Sequence, residues 1–175
     1  VYRDSGKGFA VREGLKFANF KFNLLIDSDF SVKIENINKL FIKKDKPYAD
    51  FTVGSRRMLD SSVLNKPKLR IFSGSIYMFL VRLLLNISIS DTQCGFKLIN
   101  RDKFKNITSF RSNEFSYDVE LFILADIQNL TLQEIPIEYV HNEESNVSLF
   151  RDSILMFTKL FYLKLIYLNR KKKVE

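Results

Sequence analysis

The chain reads as an α/β domain, and three observations point there. Segments with apolar residues at helical spacing alternate with short apolar runs. Two of those runs, ending at Ile26 and Ser55, lead into charged loops. Hydrophobic residues make up 46% and aromatics 14% of the 175 residues, enough for a real core and too much for wholesale disorder. The length suits one domain.

The elements follow in order. Gly6-Lys7-Gly8 forms a loop, and residues 9–20 place Ala10, Val11, Leu15 and Ala18 on a helix face. Asn23-Leu24-Leu25-Ile26 has the continuous apolar form of a buried parallel strand and runs into Asp27-Ser28-Asp29. Residues 35–44 predict an amphipathic helix carrying Ile37, Leu40 and Phe41 and ending in Lys43-Lys44. Residues 50–55 predict a strand that closes in Gly54-Ser55-Arg56-Arg57, and a loop through Pro67 leads to an apolar helix over 70–85. After Asp91-Thr92-Gln93-Cys94-Gly95-Phe96-Lys97, Leu98-Ile99-Asn100 forms a strand or turn. Residues 117–129 predict a helix with Val119, Leu121, Phe122, Leu124 and Ala125 over most of one side. Residues 132–140 alternate like an edge strand, where Pro136 is tolerated, and 151–169 form a last amphipathic helix.

Composition narrows the partners. Lysine and arginine outnumber acidic residues 28 to 20, a net charge of +8, suited to nucleic acid, anionic lipid or a phosphate-bearing substrate. Arg170-Lys171-Lys172-Lys173 follows an apolar helix, which favours a membrane surface over nucleic acid. The single cysteine, Cys94, excludes an internal disulfide and reads as a small buried hydrophobe, since no base lies beside it in sequence. No apolar run reaches the length that spans a bilayer: Arg82 interrupts 76–89, and Lys159 and Lys164 interrupt 154–168. His141, the only histidine, receives no role.

Charged loops at the carboxyl ends of α/β strands fall where such folds bind ligands. Asp27 and Asp29, two residues apart after a strand, can share Mg²⁺ or Mn²⁺ with a diphosphate, because those ions take oxygen ligands and need only one or two carboxylates. The same residues also suit an acidic turn or a helix N-cap. Gly6-Lys7-Gly8 before a helix has the form of a phosphate cradle, though it is no complete P-loop. Arg56 and Arg70 offer planar forks for phosphate oxygens, and Ser73 adds a hydroxyl three residues on. Asp118 and Glu120, two apart on a helix, face different directions and form no close carboxylate pair.

Taken together, Asp27-Ser28-Asp29, the segment 91–97 and Phe115-Ser116-Tyr117-Asp118-Val119-Glu120-Leu121 resemble the three acidic motifs of the inverting family-2 glycosyltransferases. That resemblance implies the GT-A, Rossmann-like fold. Gly6-Lys7-Gly8-Phe9-Ala10-Val11-Arg12-Glu13-Gly14 matches a run of the dolichyl-phosphate glucosyl branch, as do Gln93-Cys94 and Lys97, where the mannosyl branch reads differently. Ser31 likewise stands where the mannosyl branch commonly has glutamine. The resemblance implies Lys7, Arg12, Asp27, Arg56, Arg70 and Ser73 near the donor and phosphates, with Arg12 equally readable as a solvated helix residue. It implies a cation on Asp27 and Asp29, with Asp91 and Asp118 at the reacting groups or orienting the acceptor or the sugar hydroxyls. Asp118 is expected in the sugar pocket and Glu120 in a local cap or pair.

The implied reaction moves glucose from UDP-glucose to dolichyl phosphate with inversion, for protein N-glycosylation on the cytosolic face of the endoplasmic reticulum. Alternatives are another polyprenyl-phosphate hexosyl transfer and a non-catalytic membrane-bound remnant. The acceptor phosphate is largely ionised at neutral pH and needs positioning more than deprotonation. A polyprenyl acceptor stays in the membrane, so 70–85 and 151–169 read as interfacial helices, the first equally as an ordinary core helix. The expected organisation is a catalytic domain over 1–148, lacking the family's first strand and anchor, and a membrane-surface helix with basic tail over 149–175.

Overall fold

A computed structural model describes residues 6–43, 46–64, 67–140 and 149–171. The side chains of Lys68, Arg70, 149–155 and 168–171 lie outside that description, as do His141 and the end of the basic tail. The chain runs α1 (Lys7–Phe17), β1 (Phe22–Leu25), a 3₁₀ helix (Ile34–Leu40), β2 (Phe41–Lys43), β3 (Lys46–Pro47), β4 (Phe51–Ser55) and β5 (Ser62–Leu64). It continues through α2 (Lys68–Leu85), β6 (Lys97–Asn100), a short 3₁₀ turn (Ile107–Ser109), α3 (Tyr117–Ile127), β7 (Leu132–Pro136), β8 (Glu138–Val140) and α4 (Leu149–Lys171). The predicted α/β class stands.

The main sheet has the order β1-β6-β4-β7. β4 is buried at all five residues and pairs in parallel with β7, Val53 opposite Glu134 and Ser55 opposite Pro136. β6 runs antiparallel to both its neighbours, so Lys97 lies opposite Leu25 on one side and Val53 on the other. That reversal positions the site, because the loop entering β6 meets the carboxyl ends of β1 and β4 at one sheet edge. The residues expected to form a parallel strand, 23–26, pair antiparallel with β6, and β1 is only partly buried. As predicted, Pro136 falls in an edge strand, at the last position of β7.

The helix expected over 35–44 is instead the 3₁₀ helix followed by a small hairpin of β2 and β3. Asn36 donates its side-chain N–H to the Lys33 carbonyl, a local bond that competes with α-helix, and Leu40 is fully buried. Phe41 then enters extended structure, edge-on to Phe22 at 5.8 Å between ring centres, and tertiary packing overrides the helical pattern. The one edge strand expected over 132–140 divides into β7 and β8, which join different sheets, and β8 pairs in parallel with β5, a strand that was not expected.

Two hydrophobic clusters flank the sheet. The larger joins Phe51, Val53 and Ile99 of the strands to Val81 and Leu85 of α2, Phe122 and Ala125 of α3, and Leu160 and Leu163 of α4. The smaller holds Val32, Leu40, Phe96, Leu98, Ile135 and Ile137. α3 is buried from Tyr117 through Ala125, more completely than a one-sided pattern implies. Phe122 stacks on Phe51 at 4.9 Å. α4 shares the larger core, and Tyr167 hydrogen-bonds Asp126 of α3. Among the described residues no helix is long and apolar enough to cross a membrane.

Glu120 ties α3 to the chain before it. Its carboxylate, 2% exposed, accepts from the Arg111 and Ser112 backbone N–H groups at 3.0 Å and from the Ser112 hydroxyl at 2.9 Å. Replacing it leaves the buried Ser112 donors without their partner. Glu120→Ala is expected to lower unfolding stability by about 2–3 kcal/mol in a urea titration, and Glu120→Gln by less, since an amide oxygen still accepts.

Candidate active site

The three acidic segments meet at one sheet edge. Asp27 follows β1, and the turn closes with Phe30 N–H donating to the Asp27 carbonyl at 3.1 Å. Asp29 accepts from the Ser31 N–H at 3.0 Å. Phe30 takes a left-handed φ of 51°, uncommon for a bulky residue, and is 68% exposed. Beyond the turn, Val32 bridges Tyr139, and the Val140 N–H donates to the Ser31 carbonyl at 2.9 Å.

Asp27 rests directly on Gly95. A Cβ at position 95 would lie 2.0 Å from the Asp27 carboxyl carbon, so only glycine leaves room for this side chain. On its other side, Asp27 Oδ1 meets Lys7 Nζ at 2.6 Å, with both side chains about one-third exposed or less. Lys7 is the first residue of α1, whose start is drawn in by two glycines. Gly6 sits at φ 80°, where a Cβ would fall 2.4 Å from the Asn113 carbonyl oxygen, and Gly8 approaches Ser112 equally closely. In this geometry the glycines serve close packing against 112–117, and a phosphate cradle is not needed to explain them.

Asp118, in the first turn of α3, faces the buried Lys97, with Nζ to Oδ1 at 2.5 Å and side chains 0% and 2% exposed. Lys97 also donates to the Cys94 carbonyl at 2.6 Å and so holds the loop that carries Gly95. Burial opposes the Lys7 charge, but Asp118 and then Asp27 outweigh it and raise its pKa. Glu120 faces away, in the local tie described above.

Arg56 and Asp91 form a bidentate pair, Nε to Oδ2 at 2.7 Å and Nη2 to Oδ1 at 2.9 Å, strengthened by the Arg56 backbone N–H at 3.1 Å. Burial disfavours the guanidinium, yet Asp91 raises its pKa well above the ordinary value. The Tyr139 ring lies 5.2 Å from the same guanidinium. Glu134 of β7, absent from the expected set, fixes the loop from below: it accepts from the Ser90 N–H at 2.8 Å, the Ser90 hydroxyl at 2.6 Å and the Asp91 N–H at 3.0 Å.

Arg12 and Ser73 have surroundings of their own. Arg12 donates to the Phe110 carbonyl at 3.2 Å and Asn113 Oδ1 at 2.7 Å and stacks near Phe9 and Phe110, clamping α1 to the 110–113 loop. Ser73 is half-buried on α2, beside Gly74 and Ser75, where Arg57 packs and donates to Ser75 Oγ at 3.2 Å. The Arg70 side chain lies outside the described residues. Cys94 is buried, and burial first, then Asp91, pushes its thiol up to about 12, so it is no nucleophile at neutral pH.

Asp27 and Asp29 carry hard oxygen atoms, and Asp27 already draws a cationic partner in Lys7. Among the described residues no group of three or more His, Cys, Asp or Glu side chains is placed to hold a metal ion. Mg²⁺ or Mn²⁺ needs only one or two carboxylates where a diphosphate and water complete its shell, a demand that these residue types can meet.

The buried pair yields a prediction. Lys97→Met removes the close partner of the buried Asp118 charge and is expected to cost about 3–5 kcal/mol in chemical denaturation. Lys97→Met/Asp118→Asn should recover most of that loss. A double variant no more stable than Lys97→Met would show that the pair is not the coupling partner.

Comparison with known proteins places this arrangement. Residues 2–108 match the model described as Glycosyl transferase family 2. The chain is 31% identical over 186 residues to the dolichyl-phosphate beta-glucosyltransferase of Saccharomyces cerevisiae, covering 95% of this chain and 54% of that protein. The Drosophila melanogaster protein of the same name is 31% identical over 178 residues, with 96% and 54% covered. The glycosyltransferase AglD of Haloferax volcanii is 26% identical over 156 residues, with 89% and 25% covered. The chain thus spans about half the length of the two glucosyltransferases. With a family match over more than half its length and that family's three acidic motifs gathered at one sheet edge, the chain belongs to glycosyl transferase family 2.

Proposed function

We propose that this chain is the part of a dolichyl-phosphate β-glucosyltransferase that moves glucose from UDP-glucose to dolichyl phosphate with inversion. The observation that carries the reading is the contact of Asp27 with Gly95. It joins the first acidic motif to the loop in which the glucosyl branch differs from the mannosyl one. The names of the relatives from yeast and fly support glucose and a dolichyl-phosphate acceptor.

The residues divide the work by charge. As the bond to the sugar breaks, negative charge collects on the leaving diphosphate. Lys7, 28% exposed in its side chain, is the cation best placed beside Asp27 to meet that charge. A bound Mg²⁺ or Mn²⁺ on Asp27 and Asp29 would supply further charge neutralisation there. Arg56, held by the Asp91 fork and lying over the Tyr139 ring, keeps a fixed orientation for an acceptor phosphate. Asp91 and Asp118 act here through Arg56, Lys97 and Lys7, and an ionised phosphate acceptor requires no general base. Arg70 and Ser73 belong to this reading as further phosphate contacts.

The setting is the cytosolic face of the endoplasmic reticulum membrane, with the product used in protein N-glycosylation. α2 supports a membrane surface as partner. Tyr77, Met78, Val81 and Leu85 face the core, whereas Leu69, Phe72, Ile76, Phe79 and Leu83, three and four residues apart, are 40–66% exposed. Phe161, Tyr162 and Leu165 extend the apolar surface on α4, which packs against α2. Such a stripe suits the headgroup and acyl boundary of a bilayer.

Two experiments test this. Labelled glucose from UDP-glucose should appear in a lipid product with dolichyl phosphate in micelles, dependent on Mg²⁺ or Mn²⁺, and fall about 10²-fold or more in Asp29→Asn. No metal-dependent product, or an unchanged Asp29→Asn, overturns the reading. Phe79→Asp should leave the thermal melt unchanged and weaken co-sedimentation with phosphatidylcholine–phosphatidylserine vesicles about tenfold, since an exposed phenyl ring buries on docking. Unchanged sedimentation would remove α2 from the membrane contact.

A further inference from the structure

Lys7 stands on the carboxylate that the proposed reading gives to a divalent cation. Its Nζ lies 2.6 Å from Asp27 Oδ1, closer than a second cation tolerates. On one side Asp27 is bounded by Gly95, which lies so near its carboxyl group that a Cβ there would clash. Lys7 does have somewhere to go. Asp118 is the other anion acting on it, held in place by the buried Lys97, and the Phe115 ring lies 5.9 Å from its ammonium. The Lys7 side chain is partly exposed, so the move crosses no packed core.

We infer that Lys7 is a resident counter-ion of Asp27 which competes with the divalent cation until a nucleoside diphosphate draws the ammonium away. This rests on the cation site of the proposed function and adds to it an order of binding. Without nucleotide, cation binding must displace Lys7 and is weak. With nucleotide, the diphosphate takes the lysine as a partner and offers oxygens to the cation, so each ligand favours the other. That coupling is reciprocal by thermodynamic necessity. Lys7 is a positioning residue in this scheme, and its signature is a change in coupling and not merely in affinity.

The test is Mn²⁺ binding to the whole chain, read as loss of the free-ion electron paramagnetic resonance signal, with and without UDP. In wild type, UDP should tighten Mn²⁺ strongly. In Lys7→Met, Mn²⁺ alone should bind at least about fivefold tighter than in wild type, and the tightening by UDP should shrink by about tenfold. Lys7→Arg, which keeps the charge, should behave like wild type. Equal Mn²⁺ affinity without UDP in wild type and Lys7→Met, or weaker binding in the variant, overturns the inference while leaving the cation site intact. Mn²⁺ binding that survives Asp27→Asn places the ion elsewhere and overturns the cation reading together with the inference.

Discussion

The site depends on one buried ammonium. Lys97 sits at the head of the central strand β6, fully enclosed, and its charge is balanced only because Asp118 and the Cys94 carbonyl close around it. Isolating a charge in a protein interior is costly, so this lysine dictates where the first turn of α3 and the loop before β6 must lie. Gly95 is thereby held against Asp27, and Asp27 against Lys7. Three segments distant in sequence share one geometry because a single charge tolerates no other.

The sheet makes that arrangement possible. Were β6 parallel to β4, its preceding loop would lie at the opposite edge, away from Asp27 and Arg56. Running antiparallel, it delivers residues 91–96 to the carboxyl ends of β1 and β4. Glu134 and Arg56 then hold Asp91 from two sides, one through backbone N–H groups and one through a fork. Most of the polar groups at this edge therefore fix one another.

Much of this was legible in the residues. A short strand pattern closing in Gly54-Ser55 marked β4, apolar and amphipathic stretches marked the long helices, and acidic loops marked the edge where the three acidic segments meet. What escaped depended on partners distant in sequence. β2, β3 and β5 are two or three residues long and exist only through pairing. The pattern at 35–44 suited a helix until Asn36 bonded back to Lys33 and Phe41 packed on Phe22. Arg12 resembled a donor contact because sequence shows its charge but not the Phe110 carbonyl and Asn113 side chain that engage it. Two signals could have been used. A lysine inside the apolar run Cys94-Gly95-Phe96-Lys97-Leu98-Ile99 demands a buried acidic partner, and Glu134 beside Ile135 in an edge strand asks what its carboxylate holds.

The three ion pairs at this edge, Lys7 with Asp27, Arg56 with Asp91 and Lys97 with Asp118, cancel one another. The chain's net charge of +8 therefore resides outside those pairs, over the wider surface. An approaching anion is attracted from afar by that wider surface, and only at contact does it meet a neutral set of paired groups. Attraction over distances beyond about 8 Å fades at physiological ionic strength, whereas rearrangement of close, partly enclosed pairs is screened far less. Salt should thus act mainly on how quickly an anionic ligand arrives and little on how firmly the paired groups hold it once seated.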